Sequence, residues 1–221
     1  MYFIIKLTKL ISRKNLYKFI QKEIIQIKNQ KKKIKILNIG SGGEIERFIK
    51  RNKDLKLMSM DISKKRNPDF VYDISKNDVK NKIPFKPDIV TIFEVLEHVK
   101  SPDKAVQNIH KILKKNDICL CSVPFNFHIH DEPNDFYRFT HYGLKFLFRN
   151  FKHVEIKSRN GWLESIFVNL VRLYFEKNYF SKLLGLGFTI LYFIIYPLIV
   201  ILQKIFTSNK LTTGYFVKAI K

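Results

Sequence analysis

From residue 33 to about residue 160, short apolar runs alternate with segments of helical periodicity, and this alternation constrains the fold more than any other feature. The apolar runs are IKILNIG, LKLMSMD, FVYDIS, DIVTIFEV, DICLCSVP and FKHVEIKSR. In the clearest helical segment, Pro102 takes the first helical position behind Ser101 as N-cap. Strands that alternate with helices are joined by right-handed crossovers, which predicts a parallel, doubly wound α/β sheet.

The chain carries a large positive charge. Its 221 residues contain 41 Lys and Arg against 19 Asp and Glu, a formal net charge of +22. Such an excess favours a negatively charged partner, either nucleic acid or an anionic membrane surface. Most of the excess is lysine, whereas nucleic-acid recognition favours the planar arginine side chain, so we expect a membrane surface rather than nucleic acid. The length fits one globular domain.

Residues 1–32 are predicted to form a basic amphipathic helix. Apolar residues such as Ile20 and Ile27 recur with helical spacing, and lysines occupy much of the remaining surface. Two interpretations are open: the helix packs on the sheet with a solvated basic face, or it lies on a membrane surface. Lys6 and Lys9 interrupt the apolar run too early for a signal peptide.

A long segment without charge, Leu183 to Gln203, precedes a last apolar run, GYFVKAI. As a helix it would be roughly 30 Å long, the thickness of a bilayer core. If GYFVKAI is the final strand of the sheet, a single crossing would leave that strand on the wrong side of the membrane. We therefore expect the segment to dip into one leaflet, or to bend at Pro197 and return, on the cytoplasmic side. A buried helix that packs on its own domain or on a partner subunit is the alternative.

Cys119 and Cys121 lie two positions apart in a strand-like run, which puts them on one face of the strand. Two cysteines at this spacing provide neither a zinc site nor a disulfide framework. We expect two reduced core thiols in a cytosolic protein.

The first apolar run leads into a glycine-rich loop and a helix, ILNIGSGGEIERF. Gly40 and Gly42 allow a tight turn at the strand end, and the helix N-terminus behind them favours an electron-rich ligand. A dinucleotide fingerprint would need a third glycine where Ile45 stands. Asp61 ends the second run, at the spacing from which a carboxylate accepts hydrogen bonds from both ribose hydroxyls of a nucleoside.

Together with EVLEHV (residues 94–99), these motifs resemble class I S-adenosylmethionine-dependent methyltransferases, in particular the broad type 11 group. The resemblance covers about residues 34–156 and the last strand. It implies a Rossmann-like, doubly wound, mostly parallel seven-stranded sheet with an antiparallel last strand. Before that strand, the uncharged segment of this chain adds a hydrophobic helical insertion. The resemblance also implies S-adenosylmethionine (SAM) as cofactor. The residues matched to SAM binding are Asn38, Gly40, Ser41, Gly42, Asp61, Ile62, Asp73, Ile74 and Glu94.

Two positions of the first motif depart from the family pattern. Asn38 replaces the usual acid, and Glu44 stands where the third glycine of the family is expected. Both departures bear on the affinity for SAM, although they leave the turn itself intact.

Four segments follow from these patterns. They are an N-terminal helix (1–32), a SAM-binding core (33–160), a hydrophobic helical insertion that associates with a membrane (161–210) and the final strand of the core (211–221).

The EVLEHV segment contains Glu94, Glu97 and His98. A similar Glu-x-x-Glu-His, joined by a further histidine, holds a divalent metal in small-RNA 2′-O-methyltransferases, and some quinone O-methyltransferases carry a related triad. Carboxylates and imidazoles together suit such an ion. Pro102 occupies the place of the further histidine, so that His128 or His130 would have to substitute. We therefore predict no metal, and a capping and helical role for the segment.

A second polar cluster, HIHDEPNDFYRFT (the loop 128–140), follows the strand that ends in DICLCSVP. In open α/β sheets such a loop overhangs the substrate. The loop resembles a segment of type 11 methyltransferases associated with bacterial surface-polysaccharide gene clusters. We assign His130, Asp135 and Arg138 to acceptor binding, and His98 and His130 as candidate general bases. An Asp135–Arg138 ion pair that only orders the loop is the alternative.

These observations predict a methyltransferase that acts on a small-molecule, glycan or lipid-linked acceptor at a membrane surface, in polysaccharide biosynthesis. An RNA methyltransferase is one alternative, which would need an arginine-rich patch interleaved with aromatic residues. A catalytically silent scaffold of the same fold is the other, since Asn38 and Glu44 depart from the family pattern. The oligomeric state does not follow from the sequence.

Overall fold

A computed structural model describes residues 2–29, 33–208 and 210–221, so the expected boundary after residue 32 lies outside the described residues. The helices are α1 (Tyr2–Lys28), α2 (Glu44–Lys50), α3 (Val79–Lys82), α4 (Pro102–Ile112), α5 (His141–Leu147), α6 (Trp162–Arg172) and α7 (Tyr179–Ile205). The strands are β1 (Ile34–Ile39), β2 (Leu55–Asp61), β3 (Phe70–Val71), β4 (Ile89–Phe93), β5 (Ile118–Pro124), β6 (His153–Ser158) and β7 (Gly214–Ile220).

The seven strands form one sheet in the order β3-β2-β1-β4-β5-β7-β6. All neighbours pair in parallel except β7, which runs antiparallel to both β5 and β6. This confirms the predicted doubly wound sheet with an antiparallel last strand. The chain order reverses between β1 and β4, and ligands of such sheets bind in the crevice at the carboxyl ends of the strands there.

The apolar side of α1 packs on one face of this sheet. Leu16, Ile20, Ile24 and Ile27 join Ile36 and other residues of β1, β4, β5 and β7 in one buried cluster. Burial of these side chains stabilises the helix on its own domain, as the first of the two open interpretations expected. Lysines of the opposite side, among them Lys6, Lys18 and Lys22, are exposed.

The second face of the sheet carries a larger cluster, formed with α4 and α5. Cys119 and Cys121 are buried in it as free thiols, as predicted. Helix α4 begins at Pro102 as expected, but the Ser101 side chain makes no capping hydrogen bond. Thr140 does cap α5, because its hydroxyl accepts a hydrogen bond from the N–H of Gly143 at 3.0 Å.

Helices α6 and α7 form an antiparallel hairpin before the last strand. At one end Trp162 donates from Nε1 to the carbonyl O of Phe206 at 2.8 Å, and at the other end a Cβ on Gly185 would lie 2.2 Å from the backbone N of Tyr174. Helix α7 is long and apolar enough to cross a membrane, by length and composition alone. It continues through Pro197 without reversing, so the expected bend and return at this residue is wrong.

Candidate active site

The glycine loop after β1 has a backbone conformation that glycine adopts without strain. Gly40 has a φ of +92° and Gly42 one of +78°. A Cβ on Gly40 would lie 2.3 Å from Cγ2 of Val95, and one on Gly42 would lie 2.9 Å from the carbonyl O of Arg66. The turn therefore needs glycine at both positions, in agreement with the sequence analysis.

Two carboxylates hold this loop in place. Asp61, at the end of β2, accepts hydrogen bonds from the backbone N–H groups of Ser41 and Ser63, each at 2.8 Å. Glu46, in α2, accepts from the hydroxyl of Ser41 at 3.0 Å and from the N–H of Gly42 at 2.7 Å. Each Asp61 oxygen retains acceptor capacity, because an ionised carboxylate offers about four lone-pair sites.

The two departures from the family pattern have local explanations. The side-chain amide of Asn38 donates to the carbonyl O of Gly40 at 2.7 Å and accepts from the hydroxyl of Thr91 at 2.8 Å. An ionised acid could not donate to that carbonyl, so the amide suits this loop. Glu44 begins α2, where a negative charge is stabilising, and pairs with Arg13 of α1 at 3.1 Å.

A cavity of about 860 Å³ opens beside the loop at the carboxyl ends of β1, β2 and β4. This volume lies within the range of small-molecule sites. Eight of the nine predicted cofactor residues line it, and Gly42 lies in the adjoining loop; the eight are Asn38, Gly40, Ser41, Asp61, Ile62, Asp73, Ile74 and Glu94. Ile62 is 71% exposed, an apolar surface that a planar ligand ring would cover.

Asp73 follows the short strand β3 and lines the cavity. Its Oδ1 accepts from the N–H and the hydroxyl of Ser75, at 2.8 and 2.7 Å. Within the described ranges Oδ2 has no hydrogen-bond partner, which leaves it for a ligand donor such as an amino group.

Glu94 lines the same cavity and forms a buried ion pair. Arg159, at the end of β6, donates to Oε1 of Glu94 and to the carbonyl O of Val123, and the hydroxyl of Ser122 donates to the same Oε1 at 2.7 Å. Burial alone would raise the pKa of Glu94, but the Arg159 charge and these hydrogen bonds outweigh it and lower the pKa. Glu94 is therefore ionised at neutral pH.

The structure brings His98 and His130 together, although they lie in different segments. His98, which lines the cavity, has its ring centroid 5.0 Å from that of His130 in the loop 128–140. Oε1 of the buried Glu97 lies 3.8 Å from Nε2 of each histidine. Burial raises the pKa of Glu97, whereas for His130 the contact with Glu97 outweighs burial and raises its pKa. Two neighbouring acids, Glu94 and Glu97, thus have pKa values shifted in opposite directions.

Asp135 and Arg138 form the ion pair that the sequence analysis offered as an alternative to acceptor binding. Two nitrogens of Arg138 donate to the two oxygens of Asp135, each at 2.6 Å, and one also donates to the carbonyl O of His128 at 3.0 Å. Asp135 also accepts from the backbone N–H of His130 at 2.9 Å. These contacts fix the position of His130, and the role of both residues toward an acceptor stays a prediction.

Sequence reasoning missed several residues that shape the site. Glu46 has a local signal, since an acid in the first turn of a helix can accept hydrogen bonds from the loop in front of it. Arg159 and Arg13 lie in no motif, and only the tertiary structure puts them beside Glu94 and Glu44.

The chain matches a family model described as a methyltransferase domain over residues 12–164, more than half of its length. The chain belongs to the methyltransferase-domain family. The family match agrees with SAM as the methyl donor, as the resemblance implied. A comparison with curated protein sequences gives no match.

Solved structures agree with this fold. A SAM-dependent methyltransferase from Archaeoglobus fulgidus superposes with a TM-score of 0.60 at 16% identity, over 95% of each chain. Phosphoethanolamine N-methyltransferase 2 from Haemonchus contortus, in complex with phosphomonomethylethanolamine and S-adenosylhomocysteine, gives 0.54 at 17% identity. That match covers 86% of this chain and 49% of the other, so the chain spans about half of its length. At these identities the likeness concerns the fold alone.

The residues of the cavity fit SAM. Gly40 and Ser41 of the glycine loop line the cavity, and neither carries a large side chain that would keep the loop backbone away from a ligand. We expect Asp61 to bind the ribose hydroxyls, Asp73 the adenine amino group and Ile62 the adenine ring. When bound, SAM supplies a methyl group already activated by its sulfonium, so alignment and exclusion of water are the main tasks of the protein.

Proposed function

We propose that this methyltransferase transfers the methyl group to a lipid-linked, glycan or other small-molecule acceptor at the cytoplasmic surface of an anionic membrane, in polysaccharide biosynthesis. In this proposal the protein is attached peripherally or monotopically through α7. The observation that carries the proposal is the apolar outer side of α7, a helix whose inner side belongs to the cluster that Phe127, directly before the loop with His130, packs against.

The outer side of α7 is a continuous apolar surface. Only 22% of its most apolar 18-residue stretch is buried. Its exposed apolar residues are Phe180, Leu183, Leu184, Ile190, Leu191, Phe193, Ile194, Leu198, Ile201 and Ile205. Exposed lysines flank it in sequence at both ends, at positions 177, 182, 204 and 210. An apolar surface with a cationic rim favours an anionic membrane, at about 1 kcal/mol per nearby cation.

The inner side of α7 favours attachment over spanning. Midway along the helix, the hydroxyl of Tyr192 accepts a hydrogen bond from Nζ of Lys14 at 2.6 Å and lies 3.2 Å from Oε1 of Glu164. Lys14 and Glu164 also form an ion pair. In a spanning helix this charged network would lie near the bilayer centre, where ionised groups are costly. A helix embedded along one side keeps the network in the protein and its apolar face in lipid.

The apolar cluster under α7 reaches the active site. Phe127, directly before the loop 128–140, packs against the cluster that contains Val168 and Tyr192. Arg172, at the end of α6, lies with its guanidinium 5.0 Å from the rings of both Phe127 and Phe175. Within the described part of the chain it has no acidic partner, and burial lowers its pKa to about 10. An uncompensated cation at this place favours an acceptor that carries a phosphate or another anion.

His98 and His130 are the proposed general bases for a hydroxyl acceptor. The acceptor oxygen forms a bond to the methyl carbon, while the carbon–sulfur bond breaks and leaves its electron pair on sulfur. The acceptor proton passes to an imidazole nitrogen. In this scheme the Asp135–Arg138 pair keeps the loop, and with it His130, beside the acceptor.

Membrane attachment can be tested by sedimentation with vesicles of phosphatidylglycerol or of phosphatidylcholine. We expect binding to the anionic vesicles and its loss in Ile194→Glu, because a charge on the lipid-facing side costs several kcal/mol in hydrocarbon. Phe146→Glu in α5 is the matched control, since Phe146 is 68% exposed and Ile194 is 70% exposed. Equal sedimentation of both variants would contradict attachment through α7.

The acceptor class can be tested with isotope-labelled SAM and membrane extracts. We expect label in a phosphate-bearing lipid-linked fraction, and the mass of that product to rise by one methylene group. Label confined to RNA would refute the proposal and favour the RNA alternative.

A further inference from the structure

Glu97 is the most unusual charged residue near the active site. Its side chain is fully buried, and neither carboxylate oxygen has a hydrogen-bond partner in the described structure. A buried carboxylate without a partner is costly, whereas one that coordinates a cation is stable. Glu94 cannot supply the missing positive charge, because it is itself an acid and is paired with Arg159.

His98 and His130 each direct their Nε2 atom toward this carboxylate. Nδ1 of His98 lies 2.8 Å from the carbonyl O of Asn134, and Nδ1 of His130 lies 3.3 Å from the carbonyl O of His128. A carbonyl only accepts, so each Nδ1 carries the proton and each Nε2 is left with a free lone pair. A backbone partner on one ring nitrogen is the usual arrangement of a histidine that binds metal through the other.

The three free ligand atoms converge. Nε2 of His98 and Nε2 of His130 are each 3.8 Å from Oε1 of Glu97, beyond hydrogen-bond distance. One ligand atom from each residue lies within 4.8 Å of the other two. An ion with bonds of about 2.0–2.2 Å would draw these atoms closer by about 1 Å, a shift within reach of side-chain torsions.

We propose that Glu97, His98 and His130 bind a divalent first-row transition ion that keeps open coordination positions toward the SAM cavity. Two imidazoles and one carboxylate are the donor set of such ions, whereas Mg²⁺ and Ca²⁺ prefer oxygen alone. The sequence pattern predicts no metal, because Pro102 stands at the expected histidine position. The loop 128–140 supplies His130 in its place, through a tertiary contact.

The electrostatics of the cluster agree with a bound cation. The buried carboxylate of Glu97, which has no hydrogen-bond partner in the described structure, gains stability from an added positive charge. A metal ion competes with protons for these positions.

The role of the ion rests on the proposed function. It would bind the acceptor hydroxyl and lower the pKa of that group, so that the released proton passes to water rather than to an imidazole. Metal binding and direct base catalysis therefore exclude one another at Nε2, and experiment can separate them.

The test uses the full chain, stripped of metal with a chelator and titrated with Co²⁺ and Mn²⁺. We expect visible absorption bands of bound Co²⁺, and loss of the free Mn²⁺ electron paramagnetic resonance signal on binding. His130→Gln and Glu97→Gln should each weaken binding more than about tenfold. His153→Gln is the matched control, since His153 is exposed in β6. Unchanged SAM affinity would show that each variant is folded.

Absence of Co²⁺ and Mn²⁺ binding, or equal binding by wild type and His130→Gln, would overturn the metal site. Methyl transfer that is unaffected by the chelator, together with no metal binding, would leave the proposed function in place with the imidazoles as bases. Mg²⁺ binding as tight as Mn²⁺ binding would contradict the expected preference of two imidazoles and one carboxylate for a transition ion.

Discussion

The two sides of the active site are held together in different ways. On the SAM side, the glycine loop is fixed by groups close in sequence, such as Glu46 with the hydroxyl of Ser41 and the N–H of Gly42. On the acceptor side, the decisive contacts join distant segments: His130 lies beside Glu97 and His98, and Lys14 of α1 reaches Tyr192 of α7. Short-range contacts leave a motif in the sequence, whereas long-range contacts leave only isolated residues.

The family match follows the same division. It ends at residue 164, in the first turn of α6, so that most of the α6–α7 hairpin and β7 lie beyond it. The SAM side therefore lies within the part of the chain that the family model matches, whereas most of the α6–α7 hairpin is interpreted from its contacts alone. Mutations on the SAM side should change cofactor affinity, and mutations on the acceptor side should change transfer.

The largest expected effect is that of Gly40→Ala. The added Cβ would lie 2.3 Å from Val95 in a left-handed backbone conformation, which costs about 1–3 kcal/mol and displaces the loop from SAM. We expect SAM binding to be lost in isothermal titration calorimetry. Gly187→Ala in α7 is the control, because nothing lies within 4 Å of its Cβ and alanine should stabilise the helix by about 0.5–1 kcal/mol. Wild-type SAM affinity in Gly40→Ala would contradict the assignment of the loop.

Asp61→Asn should have the next largest effect. It removes the charge that receives the ribose hydroxyls and weakens the contacts to Ser41 and Ser63, a loss of about 1.5–3 kcal/mol. The dissociation constant for SAM should then rise about 10- to 100-fold. Asp54→Asn is the control, since Asp54 is exposed and pairs only at the surface with Lys28. An unchanged constant in Asp61→Asn would show that the ribose site lies elsewhere.

Arg138→Gln should have the smallest effect of the three and should act on the acceptor side only. Without the guanidinium, Asp135 and the carbonyl O of His128 lose the hydrogen bonds that Arg138 donates, and His130 is held less firmly. We expect methyl transfer to fall about tenfold with SAM affinity unchanged, because misplacement of a catalytic group slows the reaction without affecting cofactor binding. Arg149→Gln, which alters an exposed arginine, should change neither quantity. Equal loss of transfer and of SAM affinity would indicate a loop that is structural for the whole site.

Much of the fold could be predicted from the sequence. Six of the seven strands lie in the apolar runs of the alternation and β7 lies in the last run, GYFVKAI, and the reversal of direction at β7 followed from the family resemblance. The path of α7 was predicted less well. Pro197 indicated a bend, yet the helix continues through it, because packing against α6 outweighs the local loss of one hydrogen bond.

The sequence by itself determined the sheet and the SAM side of the cavity. The periodicity of apolar residues and the conformation of glycine are local properties. Gly40, Gly42 and Asp61 could therefore be assigned to SAM binding before any contact was known. Only the tertiary structure decided that His130 meets Glu97 and His98, and that Lys14 and Glu164 hold the inner side of α7. These long-range contacts depend on how the loops close over long stretches of chain. The types and the spacing of the side chains do not predict how those loops close.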